Sequence, residues 1–112
     1  MEETNIFASL QDFLDSDLID LYPQALERIS NDTAHMIAMI EQGEQDSALA
    51  LAHGLRSILM LFKFEDLSRD LSVVTDMLQE ADHSAVDLLN KMNTQAKHLL
   101  FQFISAMHGK GI

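Results

Sequence analysis

Residues Glu44 to Phe62 read EQDSALALAHGLRSILMLF, and this stretch decides the fold. On a helical wheel, at roughly 100° per residue, Ala48, Leu51, Ala52, Leu55, Ile58, Leu59 and Phe62 fall on one arc. That arc has the spacing of a core stripe. His53 lands nearly opposite it, so its ring is expected in water. Asp46, Leu49, Ala50, Ser57 and Met60 share the outer half, and Arg56 stands at its edge three residues beyond the histidine. A histidine among Leu49, Ala50 and Met60, with one cation and little carboxylate nearby, reads as a docking face. The competing reading is a helix buried on more than one side, which Leu49 and Met60 would also explain.

The flanking sequence follows the same grammar. The 112 residues hold one Pro and four Gly, two of the glycines among the last four positions, so interior helix breaks are few. Ala, Leu, Met, Glu and Gln fill much of the rest, and these are helix formers. A short helix is expected over Asn5 to Leu14, with Ile6, Leu10, Phe13 and Leu14 on one face. A long one runs to Gln42, starting near Leu18 or at Pro23, a residue tolerated in a first turn. Its apolar positions are Leu26, Ile29, Met36, Ile37 and Ile40, and Gly43 is its natural stop. After Glu44 to Phe62 comes a helix from Glu65 to Glu80, although Lys63-Phe64 carries no strong turn signal. The last helix opens at Ser84-Ala-Val-Asp87, read as a capping box in its Asp variant, and continues through Leu89, Met92, Ala96, Leu100, Phe103 and Met107. Short connections between long helices favour antiparallel neighbours. The expectation is one all-α domain over residues 1–112, an up-and-down antiparallel four-helix bundle with a short extra N-terminal helix.

Charge and composition narrow the function. Seven Lys and Arg oppose eighteen Asp and Glu, a formal net charge of −11 with the five histidines neutral. Such a chain repels phosphate backbones and anionic lipid, which argues against nucleic-acid and membrane-surface binding. With no cysteine, disulfides, thiolate metal sites and a cysteine nucleophile are excluded. No apolar run approaches the ~18 residues of a membrane span. The opening MEETNIFASL is acidic where a secretory signal is basic. The expected location is therefore the cytoplasm.

The remaining histidines do not assemble a metal motif. His35, His83, His98 and His108 lack the paired spacing of a two-histidine helix site. Met36, Met39, Met77 and Met92 sit where core residues belong, so gap-filling is their plainest role. His53 is different. A neutral imidazole is a good nucleophile and needs no partner base to attack an activated phosphoryl group. A guanidinium one turn along can pair with phosphate oxygens. Such a pair can carry a phosphoryl group without a catalytic pocket, the electrophile being activated by the partner.

At these residues the chain resembles the histidine-containing phosphotransfer (HPt) domains of bacterial phosphorelays. The resemblance rests on Gly43-Glu44-Gln45-Asp46 followed by Ala48-Leu-Ala-Leu-Ala-His53-Gly-Leu-Arg56-Ser57. In that family a Gly-Asp-type break precedes an Ala-His-x-Leu-Lys-Gly-Ser-like segment by about ten residues; Gly43, Ala52-His53 and Leu55 match. Phe64-Glu-Asp-Leu-Ser-Arg-Asp-Leu71 resembles the acidic, Leu-rich start of the family's next helix. Helix order and length also agree, so the likeness covers most of the chain. There are departures. Arg56 stands where the family usually has Lys, which keeps the charge and adds a bidentate fork. Ser57 replaces a glycine that lets a receiver's backbone approach. Met60, Leu61 and Lys63 occupy positions often filled by small residues, Asn and Gly. The glutamine on the family's next helix that often supports the histidine ring has no evident counterpart, Thr75 or Gln79 being the candidates to take its place.

The resemblance implies a phosphocarrier with no kinase activity of its own. His53 would be the phospho-acceptor, taking the group from a receiver-domain aspartyl phosphate, on Nε2, and passing it to another receiver. Arg56 would stabilise the phosphate, with Lys63 a more distant cation. Asp46, Leu49, Ala50, Ser57, Met60 and Lys63 would form the binding surface. Partners would be response-regulator receiver domains and a hybrid sensor histidine kinase. This chain, a monomer, would need no cofactor, the Mg²⁺ belonging to the receiver. The alternative is a degenerate HPt-like bundle, a non-catalytic interaction module that binds through Leu49, Met60 and their neighbours.

Overall fold

The computed structural model describes residues 16–111, with side chains for 20–106. Four helices follow in order: α1 (Ser16–Glu41), α2 (Gln45–Leu61), α3 (Glu65–Gln79) and α4 (Ala85–Gly111). Among the described residues there is no strand. The helix expected over Asn5 to Leu14 lies outside them. Each helix packs on the next and α4 returns to α1, while the diagonal pairs do not approach one another. Tyr22 of α1 meets Phe103 of α4, and further along α1 Ser30 and Thr33 meet Asn93. The two long helices are therefore antiparallel, and the architecture is an all-α, up-and-down four-helix bundle.

The core is built from the stripes the spacing predicts. Leu26, Ile29 and Met36 of α1, Leu55 and Leu59 of α2, Val74 of α3, and Leu89 and Met92 of α4 are fully buried. Full burial of side chains of this size contributes about 1.5–3 kcal/mol each in transfer free energy. Met39 and Met77 are half-buried against the same core. Of the two starts expected for the long helix, the one near Leu18 holds and the one at Pro23 does not: α1 begins at Ser16, so Pro23 lies in its interior rather than its first turn. Its ring has no N–H for the preceding turn, and one helical hydrogen bond is missing there.

The three connections share one construction. The helices end in left-handed residues, Gly43 (φ 80°), Lys63 (φ 60°) and Ala81 (φ 57°). In each turn the following N–H reaches back five residues: Glu44 to the Met39 carbonyl at 2.7 Å, Phe64 to Leu59 at 2.9 Å, and Asp82 to Met77 at 2.8 Å. The left-handed residue itself donates three residues back, to Ile40, Met60 and Leu78. These are Schellman motifs, which satisfy the last carbonyls of each helix. Only the first has the glycine that makes such a turn visible in a sequence. At Lys63 the compensation is packing, since Phe62 and Phe64 on either side are buried and meet Tyr22 at ring-centroid distances of 6.2 and 5.4 Å. Phe103 joins this cluster at 5.0 Å from Tyr22. Burial pushes the Tyr22 phenol up to about 12, because the phenolate would lose its hydration.

The start of α4 corrects the expected capping box. The carboxylate that captures a free N–H is that of Asp82, whose Oδ1 accepts from the Ser84 backbone at 2.9 Å. That backbone bond, the Ser84 hydroxyl and the nearby His83 charge hold the Asp82 carboxyl below its ordinary range. Asp82 wins because it follows left-handed Ala81 and faces the first turn, whereas the Ser84 hydroxyl is directed back to it.

Candidate functional site

The site is built on the outer face of α2. Ala48, Ala52, Leu55 and Leu59 of this helix are buried in the bundle. The turn that opposes them carries His53, which is exposed, as are Ala50, Arg56, Ser57 and Met60. The reading of α2 as a helix buried on several sides is thereby excluded. Met60 retains 64% of its surface in water. Leu49 behaves differently from its neighbours: it is half-buried and packs on the core, so it contributes an edge to this face rather than a free side chain.

His53 and Arg56 are three residues apart on one helix, a spacing that sets Cβ atoms about 5–6 Å from each other. Among the described residues neither side chain has a hydrogen bond or ion pair within the chain. The contrast is with the other two arginines and Lys91, whereas Lys63 and Lys97 are, like Arg56, in no ion pair among the described residues. Arg28 pairs with Asp32 at 3.3 Å, Arg69 with Asp66 at 3.6 Å, and Lys91 with Asp70 at 3.6 Å. In a chain of net charge −11, an uncommitted guanidinium beside an exposed imidazole is a local reversal of the prevailing sign. It is the place on this face where an anion is best accommodated.

A groove of about 380 Å³ runs alongside, between α2 and α3, lined by Arg56, Met60, Ser68, Leu71, Ser72, Thr75 and Asp76. Ser68, Ser72 and Asp76 recur every four residues along α3, the spacing of one helix face. That periodicity is the signal by which they could have been found, but only knowledge of which face of α3 meets α2 gives it meaning. Thr75, one of the two candidates for supporting the histidine, shares this groove, and its Oγ1 donates to the Leu71 carbonyl at 2.9 Å. Gln79, the other, is exposed further along α3.

Two expected binding residues lie apart. Asp46 is exposed in the first turn of α2 beside Gly43, Glu44, Gln45 and Ser47, seven residues before His53, or roughly 10 Å along the axis at 1.5 Å per residue. Lys63 is not on the α2 face at all. The helix stops at Phe62, and the left-handed backbone directs Lys63 to another groove, with Tyr22, Phe64, Glu65, Asp66, Leu67, Gln95 and Leu99. Leu61 is 53% exposed.

Beside His53, Gly54 sits in mid-helix, where a Cβ would meet no atom within 4 Å. Nothing in the chain requires a glycine there. Elsewhere, His35, His83 and His98 are exposed, and the described residues contain no group of three or more His, Asp or Glu placed to hold a metal ion. Among them, too, no helix is long and apolar enough to cross a membrane. No protein-family model, no curated protein and no solved structure matches the chain.

Proposed function

We propose that this bundle is a histidine phosphotransfer module acting in the cytoplasm, with His53 as phospho-acceptor and Arg56 as the group that holds the phosphate. One observation carries the reading: His53 stands exposed on α2 one turn from Arg56, whose guanidinium is uncommitted while the other two arginines, Arg28 and Arg69, pair with carboxylates. In the transfer, the neutral imidazole Nε2 attacks phosphorus of a receiver's aspartyl phosphate. The N–P bond forms as the O–P bond breaks, the aspartate leaves as carboxylate, and the proton on Nδ1 stays on the ring. The reverse step returns the group to a second receiver. Electrophile activation and Mg²⁺ are the partner's contribution, which suits an exposed histidine.

The test is incubation of the full chain with phosphorylated receiver domains. Label is expected on an acid-labile, base-stable phosphoamidate, and His53→Gln abolishes it. Exposed Met60 and Leu61 favour a second reading, an interaction module that binds without transferring. Binding across a panel of receivers that never produces label, and that is indifferent to His53→Gln, selects that reading instead.

A further inference from the structure

Arg56 and Asp76 line the same groove from opposite helices, yet they are not within ion-pairing distance in the resting chain. Both side chains are exposed, and a guanidinium on its flexible stem can reach several partners. Around them the lining is neutral: Ser68, Ser72 and Thr75 offer hydroxyls, while Met60 and Leu71 are apolar. Of the other carboxylates on the two helices that build this face, Asp66 pairs with Arg69, Asp70 pairs with Lys91 of α4, and Glu65 lines the separate groove with Tyr22 and Leu99. Asp46 stands at the start of α2 and Glu80 just past the end of α3. Arg56 therefore has two anionic claimants within its sweep once a phosphoryl group is on His53: that group and Asp76.

Building on the phosphocarrier reading, we propose that Asp76 is a positioning residue that competes with phosphorylated His53 for Arg56, and so sets how tightly the module holds its phosphate. A carboxylate that draws the guanidinium across the groove leaves the phosphoryl oxygens less neutralised. This makes the group easier to pass on. A carrier benefits from such balance, because a phosphate held too firmly would not be delivered. Asp76 touches neither the reacting nitrogen nor phosphorus; its effect runs through Arg56.

The experiment loads the full-length chain with phosphoramidate, which needs no protein partner. Nε2 attacks phosphorus, the P–N bond of the donor breaks, and ammonia leaves. The pH midpoint at which phosphohistidine loses its proton is then read by ³¹P NMR. Removing the competitor in Asp76→Asn is expected to lower this midpoint by about half a pH unit, the size expected when the released guanidinium charge comes to roughly 5 Å from the phosphohistidine in water-like surroundings. Arg56→Gln raises it. The double variant matches Arg56→Gln alone, because Asp76 has nothing left to compete for. An unchanged midpoint in Asp76→Asn, or additive shifts in the double variant, overturns the competition and leaves the phosphocarrier reading in place. Absence of any phosphohistidine at His53 sinks both. Asp76 is exposed on α3, so a helical circular-dichroism spectrum identical to wild type shows that Asp76→Asn reports charge rather than folding.

Discussion

Asn93 of α4 donates a 2.6 Å hydrogen bond to the backbone carbonyl oxygen of Ser30, 63 residues earlier on α1. The same amide nitrogen lies 3.2 Å from the Ser30 hydroxyl and 3.1 Å from Thr33 Oγ1. Thr33 is fully buried, and its hydroxyl donates to the Ile29 and Ser30 carbonyls at 2.8 and 3.0 Å. A polar knot inside an apolar seam permits one register between the two long helices, because sliding either helix leaves buried groups without partners.

Removing the amide should therefore cost more than its contacts suggest. Asn93→Ala is expected to lower unfolding free energy by about 1–3 kcal/mol, the penalty for leaving a buried polar group unsatisfied. Urea denaturation measures it. A double-mutant cycle with Thr33→Val should show coupling, and strictly additive losses would mean the knot is incidental.

The non-glycine turns make the opposite prediction. Lys63 and Ala81 hold left-handed backbone angles that cost L-residues roughly 1–2 kcal/mol, partly offset by the extra freedom glycine brings to the unfolded chain. Lys63→Gly and Ala81→Gly should each stabilise the bundle by about 0.5–1 kcal/mol. Gly43→Ala should destabilise it by about 1 kcal/mol through the backbone alone, since a Cβ there meets nothing within 4 Å. Shifts in urea midpoint at constant slope decide all three.

Tyr22 gives the fold an alkaline limit. Its folded-state value of about 12 lies above the ordinary 10, so stability is complete below pH 10 and declines from there to about pH 12, as the unfolded chain ionises first. The loss reaches at most about 2–3 kcal/mol. Tyr22→Phe should lack this decline when both proteins are unfolded by urea between pH 9 and 12. Parallel curves for the two would show that the phenol is not the cause.

At the site, stability and transfer should separate. His53→Gln and Arg56→Ala alter exposed side chains and should change stability by less than about 0.5 kcal/mol, while labelling from a receiver is lost in the first and reduced in the second. A collapse of the fold in either variant would contradict their exposure.

Gly54→Ala goes further, with opposite signs in two assays. It should stabilise α2 by roughly 1 kcal/mol, the helix preference of Ala over Gly, and slow labelling from a receiver by crowding the approach to His53. Labelling by phosphoramidate should be unchanged, because a small donor needs no such clearance. Equal slowing with both donors would place the effect on the histidine itself.

How much of this was legible beforehand depends on the range of the interactions. The stripe Ala48, Ala52, Leu55 and Leu59, the outward His53 and the stop at Gly43 are consequences of helical period and glycine's backbone freedom. Both are properties of residues a few positions apart, so the sequence alone determined the bundle and the face on which the histidine stands. The turn at Lys63 was hidden because its left-handed backbone is sustained by Phe62 and Phe64 packing on Tyr22, forty residues away in the chain. The same holds for the direction of the Lys63 side chain, for the register lock between Asn93 and Ser30, and for the groove that Arg56 shares with Ser72 and Asp76. Those were decided only by the tertiary structure, since periodicity states which side of a helix is buried but not which neighbour covers it.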